Sequence, residues 1–265
     1  MKFKHKIGFE KDNVNISDKS ITKQNDMLNT TNKDFTMTER SAEKWHGLNL
    51  NYKLLHIEKM PEILAIIPAR NGSKRLRDKN VKRLCGKPLY KWTLDAARKS
   101  KYITKIIVST DDKRIIKTLP KQLVDIRPEY LCRDDVSSEA VVKYCLDEKC
   151  NGKKYDYVIL LQPTSPLRTT ADIDNMIECA MQMESLSMVS VYRLTKPIFG
   201  GHTKDVYILN GAMYLISPSI FDSYESLCNP QTQIYVMPEE RSIDIDTEFD
   251  FMVAEMLMKK QIKCR

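Results

Sequence analysis

The sequence predicts an α/β protein: a mainly parallel sheet with helices covering both faces. Two observations carry that expectation. From Met60 onward, short apolar runs alternate with stretches of helical periodicity, and strand–helix alternation over this length implies parallel strands joined by covering helices. In addition, a basic loop follows the first apolar run, and in such sheets ligands lie outside the carboxyl ends of the strands.

The run 63–68 (ILAIIP) is continuously apolar and closes on a proline, as a strand buried on both faces should. Further strand-like runs follow at 105–109 (KIIVS), 123–126 (LVDI), 157–161 (YVILL), 188–192 (MVSVY), 207–216 (YILNGAMYLI) and 234–237 (IYVM). Between them, apolar residues recur at helical spacing in 89–100, 113–119, 138–149, 171–182 and 247–260. Arg70, Asp111 and Gln162 each stand just past a strand, so three distant segments are expected to converge on one edge of the sheet.

Composition permits this architecture without selecting a function. A chain of 265 residues, 42% hydrophobic, can bury one sizeable core, and no apolar run approaches the ~18 residues of a spanning helix. A soluble protein without a membrane partner is expected. The net charge of +8 points to anionic ligands, either nucleic acid or a nucleoside triphosphate with an acidic sugar. No basic surface interleaved with aromatic residues is recognisable, so nucleic acid is not expected as a partner. The seven cysteines lack C-x-x-C pairing, and the histidines at 5, 46, 56 and 202 lack metal-ligand spacing. Free thiols of this kind fit a reducing cytoplasm.

Residues 1–59 have a different character, rich in Lys, Asn, Asp, Thr and Ser, and are expected to be a largely disordered extension. Lys2, Lys4 and Lys6 resemble the start of a signal peptide, but no apolar segment follows them, so secretion is not expected. Only the stretch from Trp45 to Ile57 carries enough apolar residues to dock on the body of the protein or on a partner.

The most informative segment runs from Ile66 to Asn80. Arg70, Lys74, Arg75, Arg77 and Lys79 surround one turn residue, Gly72. Glycine lets backbone N–H groups approach closely, and Arg and Lys supply a fork and a point charge for phosphate oxygens. A solvated basic turn is the bland alternative. Neither G-x-x-x-x-G-K-[ST] nor G-x-G-x-x-G is present around Gly72, which excludes the common phosphate loops.

Residues Ile67 to Asn80 instead meet every fixed position of I-P-A-R-x-G-S-K-x-x-x-x-K-N. That pattern resembles the signature of the N-acylneuraminate (sialic acid) cytidylyltransferases. Further family-like blocks follow in order at Val108–Asp111, Leu161–Arg168 and Ser242–Asp246. The resemblance covers about Met60 to Lys260. It implies the Rossmann-like nucleotide-diphospho-sugar transferase fold, CTP and an acidic nine-carbon sugar as substrates, and Mg²⁺ as cofactor.

By that resemblance, Ala69, Arg70, Ser73, Lys74, Lys79 and Asn80 form the triphosphate cradle, with Lys79 and Arg70 the catalytic cations; Lys79 is the one nearest the reacting α-phosphate. Arg127 falls where the family has an arginine that contacts the nucleotide, although alone it reads as a surface residue. Asp111 matches the family's S-T-D, with no chemistry evident, while Asp112 reads as the cap of the following helix. Gln162 and Asn210 are the expected sugar contacts, the former because an amide offers both donors and an acceptor; for Asn210 a plain turn is the alternative. The family of 3-deoxy-manno-octulosonate enzymes carries L-Q-G-D-E-P where Leu161–Pro166 stand here, and its absence favours sialic-type sugars. Asp244 and Asp246 alternate with isoleucines, so on a strand both carboxylates face one way, as Mg²⁺ ligands should. Capping of the last helix is the competing use of Asp246.

One departure from the family stands out. Between 193 and 209 relatives carry a longer insertion for sugar recognition and dimerisation, and here only Arg193, Lys196 and Lys204 offer local cations. A domain spanning 60–265 with an abbreviated sugar half is expected, and with it a weak or altered homodimer. The alternatives are a pyrophosphorylase for another acidic sugar and a catalytically silent nucleotide-binding relative.

Overall fold

The computed structural model describes residues 60–150, 152–195 and 206–263. The stretch from Trp45 to Ile57, with Lys196, Gly200, Gly201, His202 and Lys204, lies outside them.

Strand β1 (Ile63–Pro68) is the central element. Ile63, Ala65 and Ile67 enter the core on one face, and Leu64 and Ile66 enter a second core on the other. Alternation of side chains along a strand makes both faces apolar, which is why the run reads as continuously hydrophobic. A two-residue hairpin of β2 (Arg83–Leu84) and β3 (Lys87–Pro88) follows, too short to leave a periodic signal, and leads into α1 (Leu89–Arg98).

Next come β4 (Ile103–Thr110), α2 (Lys113–Thr118), β5 (Val124–Ile126), α3 (Ser138–Lys149), β6 (Tyr157–Leu161) and α4 (Thr170–Met183). The last elements are β7 (Ser187–Arg193), β8 (Tyr207–Ile216), α5 (Pro218–Tyr224), β9 (Gln233–Val236) and α6 (Glu248–Lys263). Sheet order is β5-β4-β1-β6-β8-β7-β9. All of these strands run one way except β8, which is antiparallel to both neighbours.

Helices α1, α2 and α4 pack on one face through Leu94, Ile115 and Ile177, while α3 and α5 cover the other through Val142 and Phe221. Helix α6 instead closes a third cluster, where Phe251, Ala254 and Met258 meet Leu84, Leu89 and Leu167. The chain leaves β1 toward β4 and β5 and later returns on the opposite side as β6. Such a reversal opens a crevice at the carboxyl ends of β1 and β6.

Side-chain caps fix where several helices begin. Asp112 accepts from the Arg114 N–H at 2.8 Å, and Thr169 and Asp172 form a reciprocal capping box for α4. Thr247, not Asp246, caps α6: its hydroxyl accepts from Asp250 N–H at 3.2 Å, and Asp250 accepts from Asp246 N–H and Thr247 N–H. Residues 242–246 carry no regular secondary structure and join no strand of the sheet, so the strand alternation that would turn the Asp244 and Asp246 carboxylates one way does not apply there. Ile245 still anchors them, fully buried and donating its N–H to Thr164 O at 2.8 Å.

Candidate active site

The basic loop grows directly from β1. Ala69 is fixed to the neighbouring strand, its N–H donating to Ser109 O at 2.9 Å and its carbonyl accepting from Thr110 Oγ1 at 2.6 Å. Asn71 N–H donates to Asp111 Oδ1 at 2.7 Å, which gives Asp111 its part: it holds the loop to β4. Gly72 sits at φ 74°, a left-handed conformation that costs side-chain-bearing residues energy. Asn80 is buried and donates to Arg70 O at 2.8 Å, so it clamps the loop from the far side.

The loop's cations take different environments. Lys79 is 13% exposed and donates to Ile245 O at 2.8 Å and Asp246 Oδ1 at 3.0 Å. It therefore ties the loop to the 242–246 segment. Arg75, still largely exposed, reaches Asp246 at 2.6 Å. Arg70 and Lys74 both engage Asp134, in the loop between β5 and α3. Arg77 lies at the surface, 3.9 Å from Asp78.

A 160 Å³ cavity opens under this loop, walled by Arg70, Ser73, Lys79, Asn80, Arg127 and Gln162, with Ser137 and Ser138 at the start of α3. Arg127 is buried, unlike the surface residue its sequence context suggests. It donates to Ser109 O at 3.0 Å and Ser109 Oγ at 3.3 Å, and burial pulls its guanidinium below the ordinary value. A second cavity of 450 Å³ adjoins it, lined by Gln162, Tyr192, Asn210, Tyr214 and Asp244. Gln162 lines both. Behind it, the buried Arg168 donates to Gln162 O at 3.3 Å and Ala212 O at 2.6 Å, and burial lowers its guanidinium to about 10.

Asp244 faces the larger cavity. It is reachable from solvent yet surrounded by protein on most sides, and the lost hydration pushes its carboxyl above the usual range, with the Asp246 charge adding to the rise. Gly211 lies beside it at φ 69°; a Cβ there would make only ordinary contact, 3.7 Å from Asp244 Oδ2, so the left-handed backbone rather than space favours glycine. Asn210 is neither in a plain turn nor free. It lies within β8, accepts from Ser190 Oγ at 2.6 Å and Ala212 N–H at 3.1 Å, and donates to Ser242 Oγ at 2.9 Å. With both ends of its amide engaged, Asn210 braces the cavity wall.

The structure thus brings the expected residues to one edge, with Asn210 and Asn80 acting as internal braces. Sequence reasoning missed Asp134, Ser137 and Ser138, whose segment reads as an ordinary polar turn, and gave Arg168 no part. Among the described residues, no group of three or more His, Cys, Asp or Glu side chains is placed to hold a metal. No helix among them is long and apolar enough to cross a membrane. A larger hollow, 1050 Å³, lies elsewhere, beside Met60, Pro61, Tyr155 and Asp156 at the amino ends of β1 and β6.

Fold and cleft together define an α/β protein with a polar, cation-lined crevice at the switch of strand order. A family model described as cytidylyltransferase matches residues 64–202, just over half of the chain. The chain belongs to that family. It is 31% identical over 224 residues to an N-acylneuraminate cytidylyltransferase of Escherichia coli O18:K1:H7, covering 76% of this chain and 53% of the relative. It is also 31% identical over 225 residues to the CMP-N,N'-diacetyllegionaminic acid synthase of Legionella pneumophila, covering 74% of this chain and 96% of that one. The chain therefore spans about half the length of the first relative and nearly all of the second. A solved CMP:2-keto-3-deoxy-manno-octonic acid synthetase complexed with CTP shares the fold at TM-score 0.57 and 17% identity, over 76% of this chain and 99% of its own.

Proposed function

We propose that this protein is a cytidylyltransferase that activates a nonulosonic, sialic-type acid with CTP, giving a CMP-sugar and pyrophosphate. One observation carries the reading: Gln162 walls both a cavity ringed by Arg70, Lys79 and Arg127 and an adjoining larger cavity with Asp244 at its rim. A cationic chamber suits a triphosphate, and a polar chamber sharing its wall suits the acceptor that must reach the α-phosphate.

In this reading the backbone at Ala69 and the side chains of Arg70, Ser73, Lys74, Lys79 and Arg127 hold the nucleotide, while Asn80 keeps the loop in shape. The sugar's anomeric hydroxyl attacks the α-phosphorus, an O–P bond forms, the α–β anhydride bond breaks, and pyrophosphate leaves as the hydroxyl proton is released. Lys79 and Arg70 are preorganised donors for charge on the transferring phosphoryl oxygens. Gln162 orients the sugar through its amide. Arg193, Lys196 and Lys204 are the candidates for the sugar carboxylate.

Asp244 and Asp246 fit Mg²⁺, which takes one or two carboxylates and completes its shell with phosphate oxygens and water. Bound there, the ion would neutralise charge on the phosphates. Lys79 and Arg75 hold Asp246 in the free protein, so these cations orient its carboxylate.

Pyrophosphate release with CTP, Mg²⁺ and a panel of neuraminate, legionaminate and pseudaminate substrates tests the proposal. Release that depends on one of these sugars is expected. CTP binding without release for any of them would identify a silent nucleotide-binding relative instead.

A further inference from the structure

We infer that Asp134 is a displaceable counter-ion: its carboxylate occupies the two loop cations meant for phosphate, yields to the incoming triphosphate, and returns as pyrophosphate leaves. The inference rests on the cytidylyltransferase reading and adds to it a residue that sets affinity for the phosphate chain.

Three features support this. First, the two carboxylate oxygens are divided between the two cations: Asp134 Oδ1 pairs with Arg70 Nη2, and Oδ2 pairs with Lys74 Nζ at 2.6 Å. A planar anion bridging a guanidinium and an ammonium makes the same contacts that a phosphate would make with them. Second, the partners come from separate loops, one after β1 and one between β5 and α3, and one of them, Arg70, also lines the 160 Å³ cavity. Third, Asp134 lies on a turn and is 33% exposed, while Arg70 is 28% and Lys74 82% exposed. Such pairs are weak in water and exchange readily.

The other loop cations are fixed otherwise. Lys79 is held by Ile245 O and Asp246, and Arg127 is buried against Ser109. Asp134 neutralises Arg70 and Lys74; Arg70 Nη1 also donates to Asn71 O at 3.1 Å within its own loop, while Nη2 meets Asp134. A carboxylate at that place opposes a phosphate chain by charge. Its effect should therefore fall on both the substrate triphosphate and the pyrophosphate product, and it should favour product departure.

Calorimetry with inorganic pyrophosphate and inorganic triphosphate, without magnesium, reads the cations apart from catalysis. Asp134→Asn keeps the shape of the side chain and removes its charge, and its exposed turn makes folding insensitive, as thermal unfolding would verify. Binding of both anions is expected to tighten about 3- to 10-fold, the scale of two exposed ion pairs removed as competitors. Asp134→Glu should return affinity toward wild type. In turnover assays the Asn variant should show a lower KM for CTP and stronger inhibition by pyrophosphate, without a higher kcat.

Unchanged binding, or binding weakened in Asp134→Asn, would overturn the inference; weakening would mean that Asp134 positions Arg70 and Lys74 for phosphate. If wild-type protein binds neither anion, the phosphate reading of the loop fails and the counter-ion role with it.

Discussion

Replacing Lys79 by methionine removes a cation while keeping an unbranched side chain of similar reach. The structure separates two consequences. In the free protein Nζ donates to Ile245 O at 2.8 Å and Asp246 Oδ1 at 3.0 Å from a position only 13% exposed. Asp246 is 38% exposed and keeps Arg75 at 2.6 Å, so its charge is not stranded. The stability loss is therefore modest, about 1–2 kcal/mol, or about 2–8 °C in Tm for a domain of this size. In the transition state, removing one preorganised donor from developing charge costs about 2.7–4 kcal/mol, a 10²–10³-fold fall in kcat. Thermal unfolding reads the first effect, and pyrophosphate release at saturating CTP and sugar reads the second. Sugar KM should stay within about threefold, because the lost interaction belongs to the phosphate. Arg70→Ala should differ by weakening CTP binding as well as turnover. A folded Lys79→Met protein with kcat within about threefold of wild type would refute the reasoning and leave Lys79 as a strut between the loop and Asp246.

Asp244→Asn and Asp246→Asn should each lower the rate at least about 10²-fold with reduced response to Mg²⁺ titration, and near-normal turnover would remove the metal assignment. Arg114 hydrogen bonds hold the Asp112 carboxyl below its ordinary 3.8, so this group stabilises the fold above that value and the contribution fades as pH falls through the depressed one. Asp112→Asn should thus cost about 1 kcal/mol in urea unfolding at pH 7 and much less near pH 3; an equal deficit at both would contradict this. Gly72→Ala meets no atom within 4 Å of the new Cβ, so its penalty is backbone strain alone, about 1–2 kcal/mol, with weaker CTP binding by calorimetry. An unaltered Tm and Kd would show that the left-handed turn is not required. Deleting residues 1–59 should leave folding and CTP use largely intact, and aggregation or inactivity of the shortened protein would place part of that segment in the core.

Much of the fold was legible because its signals are local. Strands Ile63–Pro68, Tyr157–Leu161 and Tyr207–Ile216 and helix Ser138–Lys149 fall where apolar runs and helical spacing put them. Short elements escaped: the hairpin Arg83–Leu84 with Lys87–Pro88, and helix Pro218–Tyr224, are too brief to show a period. The basic loop after β1 stood out in the sequence through its own residues, glycine, Arg and Lys at fixed spacing.

Pairings between loops were not readable in this way. Lys79 meets Asp246 across 167 positions, Asn71 meets Asp111 across 40, and Asp134 lies between Arg70 and Lys74. No local pattern marks these partners, because what unites them is the strand order that carries each loop to the same edge. The sequence by itself determined most of the strands and helices and the basic character of the loop after β1. Tertiary structure alone decided that Asn210 is a brace, that Arg127 is buried, that Thr247 rather than Asp246 caps the last helix, and that β8 runs against its neighbours. Each of these depends on which hydrogen-bond partner or charge is left within reach once distant segments have packed, and that competition has no counterpart in the linear chain.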